Sequence, residues 1–462
     1  MKIRQTEKVT VVGAGLVGSL LSIYLARKGF SVDVYERRDD MRKSKVIAGR
    51  SINLAISTRG LHALAQLGLE LPVLQRAIPM RGRMVHSVTG ELSFQRYGKD
   101  ETQCIHSISR GELNQFLMEE AEVSKKVQFH FQHKLVPTKS RDEELEFRRE
   151  SDGSAHRVSA PVVFGTDGAY SAARARMVEG GISQETVHTL DYGYKELILP
   201  AIKHGDFQLE KHALHIWPRG SFMLIALPNF DGSFTCTLFL PFEGKSSFAS
   251  LQTTLQVENF FRSQFPDVMD LLPDLKEDFF NHPTGQMVTV KCSPWNLRGQ
   301  QLLLGDAAHA IVPFFGQGMN CGFEDCAVLD QYLENSDREW EEVFTSFSEA
   351  RKTNSDAIAA MALENFVEMR DSVANPKFLL QKEVERMLQQ YFPQDYLSRY
   401  QMVTFSRIPY RKAYEIGLKE SEILSSLTEG VKGAEEVDRE RAIQLAEKTL
   451  LPLMKQARDQ SH

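Results

Sequence analysis

Five cysteines in 462 residues, Cys104, Cys236, Cys292, Cys321 and Cys326, are too few and too scattered for a disulfide framework. They form no CxxC pair and no spacing that suits structural zinc. Basic excess is missing too: 55 Lys and Arg stand against 61 Asp and Glu, a formal net charge of −6. That removes the electrostatic footprint of a nucleic-acid binder. Nor does any stretch reach the roughly 18 consecutive apolar residues that a transmembrane helix needs. The N-terminal MKIRQTEKVTVVGAGLVGSLLSIYLA mimics a signal peptide, but Gly13, Gly15 and Gly18 interrupt it and Arg27 and Lys28 follow at once. The expectation is a full-length cytoplasmic chain. Repeats and low-complexity tracts are absent as well. What is left is an ordinary globular composition, 42% hydrophobic and 25% charged, with length for about two or three folding units.

The chain opens as a βαβ unit. KVTVVG is a short β-branched run, SLLSIYLARKG has helical spacing and stops at Gly29, and SVDVYE alternates as a second strand. Between them GAGLVG (Gly13, Gly15, Leu16, Gly18) fits a dinucleotide fingerprint, with one glycine for the tight turn, one for approach to the pyrophosphate and one for helix packing. Glu36, about 20 residues further on, can accept from ribose hydroxyls. An acid there favours a free 2′-hydroxyl, hence FAD or NAD, with Arg37 and Arg38 near the adenine end or solvent. Two later segments, GTDGAYSAAR with Asp167 and GDAAHAIVPFFGQGMN with Asp306, each follow a buried strand. Asp-Gly is a common turn dipeptide. A second such site, followed by a Pro/Gly-rich turn and a helix beginning near Asn320, is what a sugar chain and an electron-rich ring require. NAD needs nothing of this kind so far down the chain, whereas FAD does.

ALHIWPRGSFMLIALPNFDGSFTCTLFLP reads as antiparallel hairpins with Asn229, Asp231 and Gly232 in one turn. The mixed-charge stretch around residues 139–157 reads as a solvated hairpin. From about Trp340 the pattern turns helical.

The three nucleotide motifs, in this order, resemble the single-component FAD-dependent aromatic hydroxylases. Within that family GRSINLAIS (Gly49 to Ser57), MRGRMVH, YGYKEL, HIWPRG, FFGQGMNCGFEDC, MALENFVEM and MVTFSRIPY resemble the branch that acts on L-kynurenine. The resemblance implies an α/β fold: a Rossmann-like three-layer FAD domain (residues 1–75, 100–178 and 288–345), an inserted antiparallel-sheet substrate domain (76–99 and 179–287) and a C-terminal helical region (346–462). It implies that NADPH reduces the flavin, that O2 adds as a hydroperoxide, and that one oxygen passes to the substrate ring. The flavin carries the chemistry, so no catalytic triad or metal is required.

By the same resemblance Arg83 takes the substrate carboxylate, a bidentate task suited to guanidinium, and Tyr97 and Tyr400 hydrogen-bond the same group. Asn365, Glu368 and Met369, at i, i+3 and i+4, share a helix face and serve the amino-acid end. Leu214, Met223, Ile225, Leu227 and Phe239 alternate along strands and wall the ring, while Phe314 and Gln317 sit where ring and flavin meet. Arg110 is a pyrophosphate-side arginine, joining Gly13, Gly15, Leu16, Gly18, Glu36, Arg37, Asp167, Asp306, Gly318, Met319 and Asn320 around FAD. Taken alone, Arg83 reads equally as a surface ion pair and Arg110 as structural. His309 and Cys321 flank the GD turn, but a lone histidine there is more often structural; His86, His106, His133 and His215 are too scattered for a metal. Membrane-bound relatives end in an apolar anchor, whereas this chain ends in an amphipathic segment broken by Pro452, expected to cap the protein. Another aromatic acid as substrate, or a flavoprotein without turnover, are the competing readings.

Overall fold

The computed structural model describes Ile3 and residues 7–43, 53–137, 143–334, 338–369 and 376–460. Gly49–Ile52 of the GRSINLAIS segment, and residues 139–142 of the charge-rich stretch, lie outside them.

The β-branched strand Lys8–Val12 runs through the middle of a six-stranded sheet, parallel to Val163–Gly165 on one side and Ser31–Tyr35 on the other. Gln301–Leu303 and Val127–His130 extend it in parallel, and the two-residue strand Asn296–Leu297 closes one edge antiparallel. A parallel sheet must be covered on both faces. Helices Leu16–Lys28, Arg110–Val123 and Gly318–Tyr332 pack together over it. The charge-rich stretch does form a hairpin, Glu144–Arg149 with Ala155–Ser159, joined by His133–Leu135. Its Leu145 and Phe147 point into the same core, where Phe147 stacks on Tyr35 at 4.2 Å. The first turns of the long helix Trp340–Val367 seal that core, with Trp340 against Phe30 and Phe344 against Phe164, both at 5.6 Å.

The hairpins form a seven-stranded sheet in the order Gly285–Ser293, Gln184–Leu199, Phe234–Pro241, Met223–Pro228, Ala213–Pro218, Gly82–His86, Leu92–Arg96. All pairs are antiparallel except Ala213–Pro218 with Gly82–His86. The turn after Pro228 is as expected, with Gly232 at φ +88 and Asp231 accepting from the Ser233 amide at 3.0 Å. Alternation divides the strands between two cores. Leu197, Trp217, Leu224 and Leu238 pack on Val257, Phe261, Val268 and Phe279 of three short helices, each buried apolar side chain contributing about 1.5–3 kcal/mol. Ile216, Met223 and Phe239, on the opposite face, join the C-terminal helices.

The tail caps that second core through Ala442, Ala446, Leu450, Met454 and Ala457, a stripe at helical spacing. The expected break at Pro452 does not occur. A π-helical turn, Ala446–Leu450, widens the backbone just before the helix Leu451–Asp459, so that Pro452 falls in a first turn, where its missing N–H costs nothing.

Candidate functional site

The fingerprint glycines have three different reasons to be glycine. Gly13, at φ +101, lies against Thr166 and Asp167, whose backbone a Cβ would strike at 2.7–2.9 Å. Gly18 opens the helix so close to the first turn that a Cβ would stand 1.9 Å from the Gly13 carbonyl. Gly15 faces open space and caps Leu16–Lys28 with no side chain over its amides. That is a cradle for a phosphate on a helix N-terminus. Glu36 braces the loop: its Oε2 accepts from the Ala14 amide at 2.9 Å and its Oε1 from the Arg38 amide at 3.0 Å, leaving further lone pairs for a ribose. Arg37 is exposed beside it, and Arg110 is exposed at the N-terminus of Arg110–Val123.

The two aspartates after strands differ in their commitments. Asp167 is engaged by its own turn, accepting from Ser171 Oγ at 2.5 Å and from the amides of Ala172 and Ala173 at 2.7 and 3.1 Å. Burial pushes its carboxyl above the usual range against these bonds. Asp306 has no hydrogen-bond or ion-pair partner among the described residues, so its carboxylate is free to accept from a sugar hydroxyl. Asn320 spends its side chain inward: its Oδ1 accepts from the Ser57 amide at 2.9 Å, and its Nδ2 donates to Ala55 and Gly316 carbonyls at 2.9 and 2.8 Å. It fastens the Gly318–Tyr332 helix to the Asn53–Ile56 strand and leaves the uncapped amides of Gly318 and Met319 as that helix's donors. An open glycine cradle, two uncapped helix starts and a free carboxylate fit FAD.

Strand register assembles the other half. Leu214 pairs with Arg83, Ile216 with Ile225, and Met223 with Phe239, so these side chains share one face. Leu227 lies on it also, packed with Tyr97. Arg83 lies beside a stacked pair of phenol rings, its guanidinium 5.5 Å from the centroids of both Tyr97 and Tyr400, which are 5.2 Å from one another. Among the described residues no carboxylate lies within ion-pair distance of it. Burial opposes its charge, but Tyr97, Tyr400 and Glu368 outweigh burial and hold the pKa above its ordinary value. This is a cation without a fixed counter-ion, next to an apolar wall.

Phe314 leans on Phe239 at 5.0 Å and stacks on Phe366 at 4.3 Å. Asn365 locks that loop, its Nδ2 donating to the Phe314 carbonyl at 2.6 Å. The α-helix ends at Val367 and continues as a π turn through Glu368 and Met369; the face is kept, since Asn365 Nδ2 lies 3.5 Å from Met369 Sδ. Gln317 is fully buried, accepting from the Tyr410 hydroxyl at 2.9 Å and reaching Ser57 Oγ at 3.4 Å. Tyr194, Phe315 and Phe366 join the wall; each lies within a quoted motif, YGYKEL, FFGQGMNCGFEDC or MALENFVEM, but none was named as a site residue. Tyr194 was visible as the partner of Phe239 once register was known; Phe315 and Phe366 had no signal beyond being apolar.

Histidines remote in sequence meet. His86 Nε2 lies 2.8 Å from His215 Nδ1 and His86 Nδ1 lies 2.6 Å from Asp267, on the sheet face away from Arg83. Burial lowers His215 to about 4. His309, Cys321 and Asp325 also cluster, all buried. No helix among the described residues is long and apolar enough to cross a membrane.

The FAD binding domain family matches residues 6–362. Kynurenine 3-monooxygenase of Myxococcus xanthus is 57% identical over 453 residues, 98% of this chain and 97% of that one, and the Dictyostelium discoideum protein of the same name is 44% identical, covering 97% and 100%. Among solved structures, 2-methyl-3-hydroxypyridine-5-carboxylic acid oxygenase shares the fold, with a TM-score of 0.65 at 20% identity over 82% of this chain and 96% of that one. With the FAD-type glycine loop, the free Asp306 and the Arg83 clamp on one scaffold, the chain belongs to the kynurenine 3-monooxygenase family of FAD-binding aromatic hydroxylases.

Proposed function

We propose that the protein hydroxylates L-kynurenine to 3-hydroxykynurenine, consuming NADPH, O2 and a proton and releasing NADP+ and water. The observation that carries the substrate reading is Arg83, a cation held by two tyrosines at the edge of an apolar sheet face, with no carboxylate of its own. An α-amino acid on an aromatic ketone has the matching shape: an anion for Arg83, hydroxyl partners in Tyr97 and Tyr400, and a ring for Leu214, Met223, Ile225, Leu227, Phe239 and Phe314.

FAD, when bound, supplies the electron transfer from NADPH and the activation of O2. Gly13, Gly15, Leu16 and Gly18 would seat its pyrophosphate, with Arg110 nearby. Glu36 and Arg37 would border the adenosine. Asp306 would take the sugar chain, and the Gly318 and Met319 amides would face the ring system. Asp167 and Asn320 act by bracing the turns that carry these groups. Asn365 fixes the Phe314 loop, and Glu368 and Met369 close the amino-acid end. An apolar enclosure excludes water from the reacting ring.

The test follows NADPH oxidation by the FAD-loaded protein with and without L-kynurenine and identifies the product. Kynurenine-dependent oxidation yielding 3-hydroxykynurenine is expected; stimulation yielding only peroxide, or no stimulation, overturns the reading.

A further inference from the structure

Behind the Gly305–Asp306 turn lies a buried ionic cluster to which the proposed reaction gives no part. Arg59, His309, Asp325 and Arg351 are each at most 5% exposed, and Glu324 lies between the two arginines. Asp325 is its centre. Its Oδ1 accepts from Arg351 Nε at 2.7 Å, and its Oδ2 accepts both from the Gly305 amide at 3.0 Å and from His309 Nε2 at 2.6 Å. Glu324 accepts from Arg351 and Arg59 at 2.6 and 2.5 Å. The other His309 nitrogen, Nδ1, is 3.9 Å from Cys321 Sγ, and the ring lies on the Trp295 indole at 4.9 Å. Cys321 belongs to the first turns of the Gly318–Tyr332 helix. One imidazole therefore touches both segments assigned to the cofactor.

Charge counting gives this contact its meaning. Two guanidiniums already balance the two carboxylates, so a proton on both nitrogens of His309 leaves the cluster with one net positive charge. Burial opposes that proton, but the Asp325 carboxylate that accepts from the ring holds the His309 pKa well above the ordinary value. In turn, although burial raises carboxyl groups, His309 and Arg351 draw Asp325 down to about 2.

We propose that His309 is a positioning residue for the flavin: as an imidazolium between Asp325 and Cys321 it sets the Gly305–Asp306 turn against the Gly318–Tyr332 helix. The net positive charge behind them favours the cofactor once hydride from NADPH has added an electron pair. This rests on the FAD site proposed above.

The experiment has a part without substitutions and a part with one. In the wild-type FAD-loaded enzyme labelled with 15N-histidine, the His309 signal should be that of an imidazolium from mildly acid to mildly alkaline pH. A neutral ring overturns the proposal, and this decides the matter even if a variant fails to fold. In His309→Gln, which keeps a donor toward Asp325 but no charge, titration of apo-protein with FAD should show affinity lower by about tenfold, roughly 1.4 kcal/mol, and the bound flavin should have a more negative midpoint potential. A merely structural histidine would leave the potential unmoved. Unchanged affinity and potential in a folded variant overturn the inference while leaving the FAD site standing; wild-type protein that takes up no FAD overturns both.

Discussion

Arg351 is buried and Arg83 half-buried, and their charges are treated in opposite ways. Arg351 meets Glu324, Asp325 and the Cys321 carbonyl, so its charge is neutralised by groups folded into place with it. Arg83 meets two phenol rings and no carboxylate. A buried cation with its own counter-ions holds backbone segments together. One without them braces no backbone and leaves its charge available to an anion from outside. The contrast separates architecture from binding without reference to any relative.

Removing each charge should therefore move stability and activity in different proportions. Arg351→Leu leaves Glu324 and Asp325 short of a partner and should lower unfolding free energy by about 3–5 kcal/mol in urea titration; a variant as stable as wild type would abolish the distinction. Arg83→Leu should lower the urea midpoint far less than Arg351→Leu, because no carboxylate is left without its partner. It should cut kcat/KM for L-kynurenine by at least about 30-fold, the low end of the roughly 2–5 kcal/mol lost when one member of a buried charge pair is removed.

The same contrast can be sharpened within one strand. Leu224 is fully buried against the short helices, whereas its neighbour Ile225 points to the Arg83 side. Leu224→Ala should cost about 2–5 kcal/mol of stability with KM nearly unchanged. Ile225→Ala should cost less stability and raise KM for kynurenine, and equal profiles for the two would erase the two-faced sheet.

The smallest effect concerns Glu420, whose carboxylate accepts from the Tyr396 hydroxyl at 2.5 Å and from the Arg399 amide, one residue before Tyr400. Burial and then the neighbouring Glu385 raise it to about 7, against the pull of Tyr396 and Lys382. A carboxyl raised on folding binds its proton more tightly in the folded chain, so its stabilisation is complete below the unfolded value and lost as pH rises through about 7. Glu420→Gln should therefore gain on wild type in unfolding midpoint between mildly acid and mildly alkaline pH. A constant difference across that range would contradict the assignment.

The βαβ opening, the hairpins around Asn229–Gly232 and the helical C-terminal region were legible because each depends on residues within a few positions of one another. The glycine fingerprint was legible from its own spacing, and for Gly18 the reason is local, the Gly13 carbonyl; the backbone that requires Gly13 is that of Thr166 and Asp167, far along the chain. The Arg83 clamp was legible only through resemblance, since nothing near it in the chain announces Tyr400. Asp167 and Asn320 were expected to face the cofactor and Gln317 the meeting of ring and flavin. That their polar atoms face their own scaffold depends on partners such as Ser171, Ser57 and Tyr410, which no spacing rule connects to them.

Local periodicity and turn chemistry, acting over one helical turn or one strand repeat, were thus enough to place the elements and the nucleotide motif. Packing decided the rest. Arg59 donates to the carbonyl of Ile408, 349 residues away, His86 finds His215, and His309 finds Asp325. A charge buried at such a junction is neutral or exposed according to what the folded chain brings opposite it, and that is a property of three-dimensional neighbours, to which sequence order gives no address.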